Sequence, residues 1–174
     1  GCTMALYLAI SSICEKGDTI ILPDTGFPYS NVLAQVIGLN VCTYTLMKDQ
    51  DWEIDLVDLE KTLEKNKDTV KAVVINNPCN PCANVFDENH VTKIISVIEK
   101  YEGVALVSDD IYEGMVFPGE EYARFIQYTD KIPIFLCSGI SKNFLVPGWR
   151  CGWVALMVPD DYKAKFVPKM KAFE

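Results

Sequence analysis

The feature that most constrains the fold is the alternation of short apolar runs with longer segments of helical periodicity. The clearest apolar runs span residues 19–22, 72–75, 104–107 and 134–137, and weaker ones span 40–46 and 154–156. Segments with helical spacing span 2–15, 29–37, 56–65 and 87–101, and a lysine-rich one follows Pro159. Short strands that are apolar throughout are typical of a sheet buried on both faces. We therefore predict an α/β fold, with a mostly parallel sheet and helices on both faces.

Length and charge narrow the classes of function. The chain has 174 residues and a net charge of −8, which fits one domain and argues against nucleic acid as a partner. No apolar run approaches the roughly 18 residues that a membrane span needs, so we expect no membrane partner. The first residues run directly into an apolar pattern, and the last carry no stop signal. We expect residues 1–174 to be one incomplete domain of a longer protein.

The seven cysteines are an odd number, and several lie in apolar runs, where cysteine behaves as a small hydrophobic residue. This pattern favours a reducing compartment, and we predict the cytoplasm, although a targeting segment before Gly1 is left open. Cys79 and Cys82 form a C-x-x-C motif that also allows a redox or zinc site. No second such pair exists and His90 is the sole histidine, so we expect no metal.

Polar clusters follow three of the predicted strands, at residues 76–80, 109–112 and 138–150. Ligands of parallel α/β sheets bind at the carboxyl ends of the strands. In the third cluster, a lysine just past a buried strand can be desolvated and become a nucleophile, which suggests this role for Lys142. Arg150 lies eight residues further on and can return to grip a phosphate with two donors.

These clusters resemble one known family. Lys142 is followed by Pro-Gly-Trp-Arg at 147–150, and the segments 51–56, 76–82 and 108–117 match further motifs in the same order. Together they are similar to the class I aminotransferases, which have fold type I and depend on pyridoxal 5′-phosphate (PLP). The similarity is greatest to the tyrosine aminotransferase branch, and it covers essentially the whole chain.

The resemblance implies a role for each site residue. Lys142 would attach covalently to the cofactor and move a proton during the reaction. Asp109 would pair with the pyridine nitrogen, with Asp110 as the rival carboxylate. Tyr112 and Asn80 would bind the phenolic oxygen, and Asn80 would also reach the substrate carboxylate.

The resemblance places the other cofactor contacts at the ring and the phosphate. Phe27 would stack on the pyridine ring. Gly1 and Cys2, assisted by Thr3, would form the phosphate-binding turn at a helix N-terminus, where free N–H groups favour an anion. Arg150 would complete the phosphate site.

The chain departs from the family pattern at two positions. Ala83 stands where relatives usually have glycine, so the turn after Asn80 is expected to be altered. Gly139 stands where many members have a phosphate-binding serine, and Ser138 and Ser141 are possible substitutes. The arginine that binds the substrate carboxylate is expected beyond residue 174.

The resemblance predicts a homodimeric enzyme that transfers the amino group of an amino acid, aromatic and tyrosine-like, to a 2-oxo acid. Two alternatives are left open. One is a different PLP reaction, of the lyase or aminocyclopropane carboxylate synthase type. The other is a truncated domain, and we expect the 174-residue piece to be inactive by itself.

Overall fold

A six-stranded sheet forms the centre of the protein in the computed structural model, which describes residues 1–172. The strands are β1 (Thr19–Pro23), β2 (Asn40–Tyr44), β3 (Leu46–Met47), β4 (Glu53–Ile54), β5 (Val70–Asn76), β6 (Ala105–Asp109), β7 (Ile134–Gly139) and β8 (Gly152–Met157). The helices are α1 (Cys2–Ile13), α2 (Tyr29–Ile37), α3 (Leu56–Lys65), α4 (Glu88–Ile98) and α5 (Asp160–Lys171). Short 3₁₀ helices lie at Phe125–Gln127 and Pro147–Trp149.

The order of strands in the sheet is β2-β1-β5-β6-β7-β8, and every neighbouring pair is parallel except β7 and β8. The predicted mostly parallel sheet is confirmed. β5 and β6 end together, because Asn76 lies opposite Asp109 in the register. This alignment brings the polar residues after both strands to one edge of the sheet.

Each face of the sheet is covered by its own hydrophobic core. Successive strand residues point to opposite faces, so Ile20 and Leu22 of β1 join one core while Ile21 joins the other. Helices α1, α2 and α5 cover the first face, and α3 and α4 cover the second. Each fully buried large aliphatic side chain stabilises the fold by about 1.5–3 kcal/mol, which explains why strands this short hold together.

Two parts of the sheet differ from the sequence prediction. The strand predicted over 40–46 ends at Tyr44, because the amide of Thr45 donates instead to the Asp58 carboxylate at 2.9 Å. Leu46 then begins the two-stranded antiparallel hairpin of β3 and β4. β8 runs antiparallel to β7. In residues 1–172, no helix has the length and apolar character needed to cross a membrane.

Candidate functional site

The main candidate site is a cavity of about 220 Å³ at the carboxyl edge of the sheet. Its walls come from the start of α1, the loop after β1, the ends of β5 and β6, and the segment between β7 and β8. The lining includes these residues that the sequence predicted: Cys2, Phe27, Asn80, Asp109, Tyr112, Lys142 and Arg150. The structure thus brings together residues that are up to 148 positions apart in the chain.

Asp109 forms the buried end of the cavity as the last residue of β6. Its Oδ1 accepts hydrogen bonds from the Ile111 amide at 3.2 Å and from the Cys2 thiol at 3.3 Å. Burial raises the pKa of the Asp109 carboxyl to about 6, although both hydrogen bonds favour the charged form. A cation brought into the cavity would therefore meet a carboxylate that lacks a countercharge.

The neighbouring Asp110 carboxyl is held by hydrogen bonds from other side chains and does not line the cavity. Ser108 and Tyr122 both donate hydrogen bonds to its carboxyl group, and the side chain is buried outside the cavity. Burial also raises its pKa to about 6. Of the two carboxylates, Asp109 alone lines the cavity, which agrees with the preference for Asp109 drawn from the sequence.

Lys142 lies at the mouth of the cavity, three residues after β7. Its Nζ is 5.6 Å from the centre of the Tyr112 ring, so the amine and the phenol share one side of the cavity. The expectation that burial desolvates this lysine is wrong, since the side chain is exposed. The reason is the path of the following segment, in which Phe144 and Leu145 are themselves exposed and do not cover the amine.

The start of α1 and Arg150 also line the cavity. The first N–H groups of a helix have no carbonyl within the helix to bond, which leaves those of Cys2 and Thr3 available to an anion. Gly1 is not among the lining residues, but a Cβ on Gly1 would lie 3.0 Å from Arg150 Nη2. The Arg150 Nη1 donates to the Pro147 carbonyl at 2.9 Å, which orients the guanidinium.

Close packing explains why glycine occupies position 139. A Cβ on Gly139 would lie 2.8 Å from the Cys151 carbonyl oxygen, so a serine requires a backbone shift. Ser138 does not substitute for that serine, because it is fully buried and donates to the Asp110 carbonyl at 3.2 Å. Ser141 lines the cavity and is the hydroxyl positioned to take its place.

Asn76 also lines the cavity, although the sequence predicted no role for it. The sequence signal for a role of Asn76 was its place at the start of the 76–80 cluster. Its hydrogen-bond partners could not be predicted, because they depend on the register of β5 and β6. A second cavity of about 200 Å³ is also lined by Phe27, Asn76, Asn80 and Asp109, so the two cavities adjoin at these residues. Phe27 is 58% exposed.

The C-x-x-C motif lies beside the site. Cys79 is buried, Cys82 is half-buried, and both thiols are free. Burial raises the pKa of the Cys79 thiol to about 12, which keeps it protonated at neutral pH. Among residues 1–172, no three His, Cys, Asp or Glu side chains are grouped so that they could hold a metal ion.

The loop after Asn80 keeps a glycine-type backbone although it contains Ala83. Ala83 has a φ of 59° and donates to the Cys79 carbonyl at 2.9 Å. We expect Ala83→Gly to raise the free energy of unfolding by about 0.5–1 kcal/mol, because the relieved strain exceeds the added entropy of the unfolded chain. Urea unfolding measures this change. Ala164→Gly, at an exposed position within α5, is the control and should lose about 1 kcal/mol, whereas a loss at position 83 would contradict the prediction.

Residues 1–170 match the family described as aminotransferase class I and II. The chain belongs to this family. Among curated members, tyrosine aminotransferase of Mus musculus is 36% identical over 156 residues, which cover 90% of this chain and 34% of the relative. The S-alkyl-thiohydroximate lyase SUR1 of Arabidopsis thaliana is 34% identical over 160 residues, which cover 92% of this chain and 34% of the relative. This aminotransferase-family chain therefore spans about a third of the length of these curated relatives.

Solved structures of two aminotransferases share the fold of this chain. Tyrosine aminotransferase from Leishmania infantum superposes with a TM-score of 0.91 at 29% identity, covering 99% of this chain and 42% of the other. Alanine aminotransferase from Pyrococcus furiosus gives a TM-score of 0.89 at 27% identity, with 98% and 42% covered. The predicted class I aminotransferase fold, with its mostly parallel sheet between helices, is confirmed.

Proposed function

We propose that this chain is the cofactor-binding part of a PLP-dependent aminotransferase. The enzyme would transfer the amino group of an amino acid, aromatic and tyrosine-like, to a 2-oxo acid. The observation that carries the proposal is the convergence of Lys142, Asp109, Tyr112 and Arg150 on one cavity of about 220 Å³. The names of the curated relatives at about 36% identity support the aromatic substrate.

The residues of the cavity fit PLP group by group. The buried Asp109 carboxyl suits a protonated pyridine nitrogen, since a cation would supply the missing countercharge. Arg150 and the N-terminus of α1, which line the same cavity, suit a phosphate. Tyr112 and Asn80 also line the cavity and offer donors for a phenolic oxygen.

PLP, when bound, supplies an electron sink that stabilises negative charge at the substrate α-carbon. The side chains of the protein then have separate tasks. Asp109 would hold the proton on the pyridine nitrogen, and Phe27 would cover the ring. The Nζ of Lys142 would hold the cofactor covalently in the resting enzyme and, as a free amine once substrate has displaced it, would move a proton from the substrate α-carbon to the cofactor. Its exposure at the mouth of the cavity leaves it accessible for both tasks.

The substrate would enter beside Asn80. A wider cleft of about 700 Å³ shares Asn80 and Tyr112 with the cofactor cavity, so the two spaces meet at these side chains. Asn80 would there bind the substrate carboxylate with its amide while also facing the cofactor oxygen.

An assay of the full-length protein with tyrosine and 2-oxoglutarate tests the proposed reaction. We expect glutamate to form in proportion to the tyrosine consumed. The 174-residue chain by itself should form none, because it spans only about a third of the length of its relatives. Tyrosine consumption without glutamate in the full-length protein would reject a transaminase.

A lyase is the second candidate, because one relative at 34% identity is named as an S-alkyl-thiohydroximate lyase. The same cofactor cavity would serve a lyase of that kind or a synthase of the aminocyclopropane carboxylate type, since the electron sink is common to all of them. Release of a thiol or another leaving group from the substrate, with no dependence on a 2-oxo acid, would favour this candidate over the transaminase.

We further propose that residues 1–174 form the large domain of a longer, homodimeric protein, without its N-terminal arm and C-terminal small domain. The support is the length of the relatives and an exposed apolar segment beside the site. Phe144, Leu145 and Trp149 are 70%, 81% and 76% exposed, which is unusual for side chains of this size in a monomer. Sedimentation of the full-length protein tests the dimer, and a monomer at micromolar concentration would reject it.

The location of the protein is proposed to be the cytoplasm. All seven thiols are free in the structure, which fits a reducing compartment. Imaging of the full-length protein with a C-terminal fluorescent tag would test this location, and a signal confined to an organelle would reject it.

A further inference from the structure

Asn76 uses both ends of its side-chain amide within the site. Its Nδ2 donates to the Asp109 carbonyl at 2.8 Å, and its Oδ1 accepts from the Asn80 amide at 2.7 Å. The orientation of the amide group follows from its partners, because a carbonyl needs a donor and an N–H needs an acceptor. One side chain therefore links the backbones of two residues that line the same cavity.

The two linked residues face different parts of the proposed cofactor. On the proposed function, Asp109 would meet the pyridine nitrogen and Asn80 the phenolic oxygen; Asp109 ends β6, and Asn80 lies in the loop after β5. The register already places Asn76 opposite Asp109, so the Asn76 side chain adds the connection to the loop that carries Asn80. The Asp109 carbonyl accepts a further hydrogen bond from the backbone N–H of Asn77 at 3.2 Å. The backbone N–H of Asn80, by contrast, has Asn76 Oδ1 as its acceptor.

Asn77 is a natural comparison, because it has the same side chain and the same number of side-chain hydrogen bonds. Its Nδ2 donates to the Ala123 carbonyl at 3.2 Å, and its Oδ1 accepts from the Phe86 amide at 2.9 Å. It is 1% exposed and lies outside the cavity. The Asn77 side chain thus links Ala123 and Phe86, which do not line the cofactor cavity, whereas the Asn76 side chain links two residues that do.

We propose that Asn76 is a positioning residue, which sets the spacing between Asp109 and Asn80 across the cavity. The inference rests on the proposed function for its ligand, PLP. A residue of this kind acts through the two groups that it holds, and displacement of such groups by about 1 Å costs up to roughly 100-fold in binding or rate.

Amide hydrogen exchange tests the contact itself without any cofactor. In Asn76→Ala we expect the backbone N–H of Asn80 to exchange roughly 10-fold faster or more, because its acceptor is gone. The exchange rate of the Phe86 backbone N–H should not change. Asn77→Ala should give the reverse pattern. Asn76→Asp keeps an acceptor oxygen, so the Asn80 amide should stay protected. Unchanged exchange at Asn80 in Asn76→Ala would overturn the inference.

PLP titration of the full-length protein tests the consequence. We expect Asn76→Ala to weaken PLP binding roughly 10-fold to 100-fold and to shift the pH midpoint of the bound-cofactor absorbance. Asn77→Ala should leave both values unchanged even where it lowers stability. Equal weakening in the two variants would show a general structural effect and overturn the inference. If the unchanged protein does not bind PLP, the proposed function fails and the cofactor role of Asn76 fails with it, whatever the exchange data show.

Discussion

Replacing Lys142 with alanine should lower transamination by the full-length protein by about 10⁴-fold, because general acid–base catalysis alone contributes up to that factor. On the proposed function, the variant would lose the covalent attachment as well as the proton transfer, because the proposal assigns both tasks to the Nζ of Lys142. The side chain is exposed, so we expect the free energy of unfolding to change by less than about 0.5 kcal/mol. Glutamate formation and urea unfolding measure the two effects separately.

Two further variants separate the chemistry of Lys142 from its charge. Lys142→Arg keeps a cation near Tyr112 but offers no amine of suitable basicity, so it should be as inactive as the alanine variant. Lys61→Ala removes an exposed lysine from α3, on the far face of the sheet, and should retain full activity. A Lys142→Arg variant with near-normal turnover would show that the position needs only a positive charge.

Asp109→Asn should lower turnover of the full-length protein by roughly 10²–10³-fold, the loss typical when a site loses one group that stabilises developing charge. An amide at position 109 cannot hold a proton on the pyridine nitrogen by charge, so the cofactor becomes a weaker electron sink. The side chain keeps its shape and can still accept from the Ile111 amide. Binding of PLP should therefore weaken less than turnover does.

The Asp109 carboxyl makes the stability of the cofactor-free protein depend on pH. Burial raises the pKa of Asp109 to about 6, so the folded protein binds more protons than the unfolded chain between about pH 4 and pH 6. The protonated Asp109 carboxyl therefore makes its full contribution to the free energy of unfolding below about pH 4. That contribution is lost as the pH rises through about 6. The loss is on the order of 3 kcal/mol for a shift of this size. Asp109→Asn should be more stable than the unchanged protein at pH 8, as measured by urea unfolding.

Asp110 provides the matched control for Asp109. Burial raises its pKa to about 6 as well, so Asp110→Asn should also flatten the fall in stability with pH. This variant loses the charged acceptor of Ser108 and Tyr122, and its net gain at pH 8 should be smaller. Because Asp110 lies outside the cavity, turnover should be largely retained. Greater loss of turnover in Asp110→Asn than in Asp109→Asn would reverse the two assignments.

The central strands could be predicted because burial on both faces requires uniformly apolar residues. The segments 72–75 and 134–137 lie within β5 and β7 for that reason. The hairpin of β3 and β4 could not be predicted, since strands of two residues are too short to show a period. The antiparallel direction of β8 could not be predicted either, because the segment 140–151 between β7 and β8 contains a 3₁₀ helix at Pro147–Trp149 and no crossover α-helix.

The site was predictable where it depended on strand ends. Residues at the ends of parallel strands meet at one edge, so Asn80 and Asp109 could be assigned to one site before the structure was seen. The role of Asn76 depends on which residue it faces across β5 and β6, and no single-chain pattern reports that register. The exposure of Lys142 depends likewise on how the segment 142–150 packs, which its apolar composition does not reveal.

The most direct test of the account is to identify the lysine that PLP attaches to. The full-length protein is incubated with PLP, the covalent link is fixed with borohydride, and the modified peptide is located by mass spectrometry. We expect one modified site, Lys142, at the mouth of the cavity that Asp109 and Arg150 also line. Modification of another lysine while Lys142 stays free, or the absence of any modified peptide, would contradict the account.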